Sequence, residues 1–180
     1  MQKHARLTPT SRLRERLARW VNDTALGERT ARWIARVPGV LQLRLKVKLS
    51  NKIPWTPLRR PLAEATVAIV ATGGVHCCAD RPFNLKTDAS FRAIPRSATT
   101  EDLCISHDRY DRRDAERDLN LVFPLERLLE LEAEGVIGRV AEAHYGFGHT
   151  DDPQELVAPG RKVADLLAET HVDLVLLVPA

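Results

Sequence analysis

Thr66–Gly74, TVAIVATGG, is the stretch that decides the fold. It is short, apolar almost throughout, rich in β-branched residues and closed by the pair Gly73-Gly74. Such a run reads as a strand covered on both faces, the mark of a largely parallel sheet, ending in a tight turn. In open α/β sheets, binding sites gather at the carboxyl ends of such strands.

Working outward towards the C-terminus, residues 103–107, LCISH, predict a second short strand, and 119–123, LNLVF, a short extended segment. Residues 124–135 predict a helix, with Pro124 in its first turn, Leu125, Leu128, Leu129 and Leu131 at helical spacing, and Gly135 as its stop. A brief strand at 139–144 follows, and a polar loop at 146–154. An amphipathic helix at 155–170 then runs through Leu156, Val163, Leu166 and Leu167, and a last strand lies within 171–178, HVDLVLLV. The alternation predicts an α/β fold with a doubly wound, largely parallel sheet.

Towards the N-terminus the character changes. Leu13, Leu17, Trp20 and Val21, then Trp33, Ile34 and Val37, predict two short amphipathic helices over 10–36, and VLQLRLKVKL (40–49) alternates as a half-exposed strand would. Pro54, Pro57 and Pro61 mark an extended connector. The expected division is a basic helical and extended segment, 1–60, followed by an α/β domain, 61–180. Charge divides at the same place. Residues 1–60 hold 15 Lys/Arg against 3 Asp/Glu, and the remainder 12 against 21, although the net charge is only +3. A basic segment beside an acidic body reads either as a docking arm for a partner or as a helix packed on its own domain.

At 180 residues, 44% hydrophobic and 28% charged, the chain can bury one core. No stretch approaches the ~20 apolar residues that span a bilayer, and the Arg-rich start lacks the apolar core of a secretory signal. The expectation is a cytoplasmic protein with no membrane partner. Cys77, Cys78 and Cys104 cannot make a disulfide framework, so free thiols are expected. Walker, dinucleotide, nucleophile-elbow and His-Glu-x-x-His motifs are absent, which leaves nucleotide and common hydrolase chemistry without support. The basic segment lacks the exposed aromatic interleaving of a single-strand binder, so nucleic acid is not an expected partner.

Three groups could carry chemistry. Cys77 and Cys78 follow the glycine turn with His76 beside them, and a histidine near a thiol can lower its pKa. DASFRAIP (88–95) and SHDRYDRRDAERDLN (106–120) place Arg92, His107, Asp108, Asp111, Asp114, Asp118 and Asn120 in polar loops. They suit either substrate binding and proton transfer or ordinary turn and cap chemistry. His144, Tyr145, His149 and Asp151 form a third loop group. Nothing sets His107, His144 and His149 at ligand spacing, and no metal is expected.

The stretches TGGVHCCADRPFNL, DASFRAIP, DLCISHDRYDRRDAERDLNLVFPLERLLEL, EGVIGRVAEAHYGFGH and VDLVLLVPA, taken in that order, resemble selenoprotein B of the glycine, betaine, sarcosine and D-proline reductases. The resemblance implies reductive cleavage of a carbon–nitrogen bond in a small amino acid or derivative. It implies a selenolate or thiolate nucleophile, with a disulfide as acceptor reset by a thioredoxin-type reductant, alongside other reductase subunits. His107 and His144 fall on the family's pattern as proton-transfer candidates. His76, Asp88, Ser90, Arg92, Asp111, Asp118 and Asn120 do so as substrate-binding candidates, Arg92 for a carboxylate because guanidinium groups pair with it in two contacts. Cys77-Cys78 departs from the pattern and stands as a catalytic candidate on its own chemistry. No bound cofactor is expected. The redox selenocysteine or cysteine is expected after Ala180, so the chain alone is expected to be inactive and its final strand to leave apolar sheet surface uncovered. The alternative is a non-catalytic assembly subunit that docks a partner through its basic N-terminal segment.

Overall fold

The computed structural model describes residues 56–179. The helices expected over 10–36, the strand at 40–49 and the basic docking arm lie outside the described residues.

The TVAIVATGG run forms β1, Thr66–Ala71, at the centre of a five-stranded sheet. Its neighbours are β5 (Arg139–Val140), β6 (Ala143–Phe147) and β7 (Leu174–Val178), all parallel to it, and β3 (Phe91–Pro95) closes one edge antiparallel to β6. The sheet is largely parallel in a mixed α/β fold. Strand alternation sends Val67, Ile69 and Ala71 of β1 to one face, where they pack with Phe123, Leu125 and Leu128. Ala68 goes to the other face and meets Tyr145, Phe147, Val163 and Leu167. Burial of both faces is why this strand reads as an apolar run without polar alternation.

The two helices supply those partners. α1, Leu125–Ala133, buries Leu125 and Leu128. It ends at Gly135 with φ +72°, where the Gly135 N–H donates to Glu132 O and the Val136 N–H to Leu131 O, the double closure that a left-handed glycine permits. α2, Val157–Glu169, buries Val163 and Leu167, and enters through a 3-10 turn, Pro153–Leu156, capped by Asp152. Both helices match the expected spans within a few residues.

Three expectations are corrected. Residues 119–123 are not extended: Leu119–Leu121 is a 3-10 turn, because the Asp118 carboxylate accepts the Asn120 N–H and bends the chain. DASFRAIP is not all loop, since Phe91–Pro95 is β3. The strand expected at 139–144 is two strands on the same side of β1. Val67 pairs with Val140 and Val70 with Tyr145, so three steps on β1 face five on its partner. The two extra residues bulge out, and the Ile69 N–H left without a strand carbonyl donates to His144 Nδ1 at 3.0 Å. His144 and Tyr145 are therefore strand residues rather than members of a loop.

A separate antiparallel pair, β2 (Val75–Cys77) with β4 (Leu103–Ile105), stands beyond the turn that follows β1. The three cysteines are not all free. Pairing of His76 with Cys104 brings Cys78 to a Cα–Cα distance of 5.0 Å from Cys104, and the two form a disulfide, leaving Cys77 as the free thiol. On β7, Leu174, Leu176 and Leu177 are exposed. No helix among the described residues is long and apolar enough to cross a membrane.

Candidate functional site

β1 leaves the sheet through Thr72-Gly73-Gly74. Gly74 has φ +71°, and a Cβ there would lie 2.4 Å from Ser106 O, so only glycine fits both the turn and the approach of the second strand pair. The Gly74 N–H donates to Phe147 O at 3.1 Å and the Ser106 N–H to Gly74 O at 2.8 Å. The carboxyl ends of β1 and β6 and the exit from β4 thus meet at one point.

His107 stands next in the chain and is almost wholly buried. Its Nδ1 accepts the Arg109 N–H at 3.1 Å, and its ring lies 4.8 Å from that of Tyr110 and 5.2 Å from that of His149. The Tyr110 hydroxyl donates to Gly73 O at 3.0 Å. Asp151 faces both His149 Nε2, at 3.2 Å, and Arg109, at 3.6 Å; Arg109 also lies 3.5 Å from Asp108. Burial, then the neighbouring His149, pushes His107 down to about 4, and burial pushes Tyr110 up to about 12. At neutral pH His107 is therefore uncharged, and because Nδ1 accepts, its proton sits on Nε2.

The DASFR loop joins the same cluster, with the Asp88 N–H donating to His149 O at 2.6 Å. The Asp88 carboxylate accepts the N–H groups of Asn84 and Ser90, each at 3.0 Å, and the Ser90 hydroxyl. Partial burial alone would raise its pKa, but the Ser90 hydroxyl, these N–H groups and the Arg92 charge outweigh it and lower the value. Arg92 donates from Nη1 to Ser90 Oγ at 2.8 Å and to Phe91 O at 3.0 Å, and from Nε to Arg81 O at 3.2 Å. Its guanidinium lies 4.6 Å from the centre of the Phe83 ring, which packs edge-on against His76. His76 in turn bonds Ser106 Oγ and the Cys77 carbonyl, each at 2.8 Å.

Of the residues singled out from sequence, His76, Asp88, Ser90, Arg92 and His107 thus come together. The others lie elsewhere. His144 is fully buried within the sheet, serving as the acceptor for Ile69. Asp111 is tied to Arg113, whose hydrogen bonds hold its carboxyl down at about 2. Asp118 and Asn120 line a different cavity, of about 490 Å³, together with Cys104, Glu116 and Glu126. There Asn120 Nδ2 bridges Asp118 at 3.1 Å and Glu126 at 2.9 Å.

The thiol expectation is also corrected. His76 bonds the carbonyl of Cys77 rather than its sulfur, while burial, then Asp80 and Asp102, push the Cys77 thiol up. Cys78, bonded to Cys104, is not a thiol here. Sequence reading did not assign site roles to Tyr110 and His149. Tyr110 stands in SHDRYD and His149 in the third loop group, but only the folded packing sets their rings against His107.

A family model for glycine/sarcosine/betaine reductase selenoprotein B matches residues 40–180. D-proline reductase subunit gamma of Acetoanaerobium sticklandii is 39% identical over 139 residues, covering 76% of this chain and 57% of that protein. Glycine reductase complex component B subunit gamma of Carboxydothermus hydrogenoformans is 26% identical over 152 residues, covering 80% of this chain and 35% of its own. Sarcosine reductase complex component B subunit beta of Peptoclostridium acidaminophilum is 32% identical over 99 residues, 51% of this chain and 22% of its own. The chain thus spans little more than half the length of the first of these relatives and less of the others. No solved structure matches it. With the match running through every strand and helix that builds the cluster, the chain belongs to the glycine/sarcosine/betaine reductase selenoprotein B family.

Proposed function

We propose that this chain is a subunit of a cytoplasmic reductase complex that cleaves a carbon–nitrogen bond in a small amino acid or derivative. The reaction takes place at the carboxyl edge of β1 and β6. The supporting observation is the convergence there of neutral His107, Tyr110 and His149 with the Asp88–Ser90–Arg92 set. In net terms the C–N bond is replaced by C–H and N–H bonds. The two electrons and two protons come from a dithiol, which becomes a disulfide.

The nucleophile is a selenocysteine or cysteine beyond Ala180; when present it supplies a polarisable anion to attack the substrate. The observation that supports this position is the end of β7. Val178 O accepts the Thr72 N–H at 3.0 Å, so the chain leaving β7 emerges beside Thr72-Gly73, where Tyr110 is anchored. Arg92 binds the substrate carboxylate through Nη2, which makes no hydrogen bond among the described residues, its other donors being held by Ser90, Phe91 and Arg81. Neutral His107 donates an Nε2–H hydrogen bond to the departing nitrogen as the bond breaks, and the proton that nitrogen takes up comes from the dithiol. A thioredoxin-type protein restores the reduced state, and other reductase subunits complete the assembly.

The test uses the full protein, isolated with its accompanying subunits and supplied with dithiothreitol. Offered D-proline, glycine, sarcosine and betaine separately, it should reduce at least one, forming one amine for each dithiol oxidised. Absence of substrate-dependent dithiol oxidation across all of them would contradict the proposal.

A further inference from the structure

We propose that the Cys78–Cys104 disulfide is a reversible redox couple that exchanges with an external dithiol, outside the reaction cluster and independent of the nucleophile proposed above. It ties the end of β2 to β4, the two short strands set apart from the main sheet. Cys78 is exposed and Cys104 half-buried, lining the 490 Å³ cavity, so the bond is open to attack from solvent.

The strand pair does not depend on the bond. Val75 pairs with Ile105, His76 with Cys104 and Cys77 with Leu103. The Cys78 N–H donates to Asp102 O at 2.7 Å, and His76 reaches across to Ser106. Opening the disulfide leaves these contacts standing, as reversible exchange requires. A disulfide in the cytoplasm is usually a transient or sensing one. That last argument rests on the compartment proposed above, whereas the geometric one does not.

Cys77 is the wrong attacker although it is adjacent. Burial and the carboxylates of Asp80 and Asp102 keep its thiol protonated, and the thiolate is the nucleophile in exchange. The attack therefore comes from outside. One thiolate of the dithiol attacks Cys78 Sγ, the Cys78–Cys104 bond breaks, and Cys104 leaves as a thiolate and takes a proton. The second thiol of the reductant then displaces Cys78 from the mixed disulfide. The protein gains two electrons and two protons, and the reductant becomes a disulfide. Reduction releases the covalent hold on the Leu103–Ile105 wall of the cavity.

The experiment is thiol labelling of the full protein in native buffer, mapped by peptide mass. After oxidised glutathione, N-ethylmaleimide followed by denaturation should leave Cys78 and Cys104 paired. After dithiothreitol, both should alkylate without denaturant, circular dichroism should be unchanged, and the pair should re-form when the dithiol is removed. Cys77→Ser should behave in the same way. Alkylation of Cys78 and Cys104 only in denaturant would overturn the proposal, as would failure to pair under oxidised glutathione or loss of exchange in Cys77→Ser. None of these readouts depends on turnover, so the couple and the reductase reading fail separately.

Discussion

Gly146→Ala is expected to cost about 3–5 kcal/mol, a large part of the stability of a domain this size. A Cβ at 146 would sit 1.9 Å from Val75 O and 3.0 Å from its carbonyl carbon. Neither side can give way easily. Gly146 is held between Ala71 of β1 and Arg92 of β3, and Val75 is paired with Ile105. The clash pushes apart the main sheet and the strand pair that carries His76 and leads into His107, so binding should fail along with stability. Gly160→Ala is the control: it lies in α2 with nothing within 4 Å of a new Cβ, and should be neutral or stabilising by up to about 1 kcal/mol. Urea unfolding of both variants checks this. A Gly146→Ala midpoint close to that of the parent would contradict the packing described.

Acidification should destabilise the domain between pH 6.5 and about 4, by as much as about 3 kcal/mol for each of His144 and His107. Burial holds both near 4, with the Arg96 charge adding to the effect at His144. The folded-state pKa lies below the unfolded one, so the unfolded chain binds more protons across this window. The stability is present above the unfolded value and is lost as pH falls towards the folded one. His144 should show the effect most cleanly, because its protonation would also turn the Nδ1 acceptor of the Ile69 N–H into a second donor. His144→Asn keeps an acceptor near that position without titrating. It should lower stability at pH 7 and flatten the acid limb of a plot of urea midpoint against pH. An acid limb as steep as that of the parent would show that His144 is not the group responsible.

Where one residue type answers to one local demand, the fold was legible in the sequence. TVAIVATGG had to be buried on both faces, and LERLLELEAEG carried both its apolar face and its stop. Legibility failed where a long-range contact overrode local character. HYGFGH looks like a polar, glycine-rich loop, yet Gly146 is there because Val75 needs the space, and His144 because a bulged sheet needs an acceptor. Cys78 and Cys104, 26 residues apart, carried no local sign of their bond. The same limit divided the candidate site. Family resemblance marked both the DASFR and the SHDRY loops, but it is His149, packed against His107 and accepting the Asp88 N–H, that joins them into one cluster. Asp118 and Asn120, as strongly marked in sequence, went to a cavity of their own because they cap a turn.

The most direct test of the account replaces His107 in the full protein with its accompanying subunits and measures dithiol-dependent amine formation. His107→Asn keeps an acceptor for the Arg109 N–H but removes the hydrogen-bond donor at Nε2. Turnover should fall by about 100-fold or more, as when one hydrogen-bond donor aimed at developing charge is removed. Circular dichroism and the thermal midpoint should stay within a few degrees of the parent's, inside the ~2–4 °C per kcal/mol of a mid-sized domain. A His107→Asn protein that folds and turns over at the parent rate would contradict the placement of the reaction at the carboxyl edge of β1.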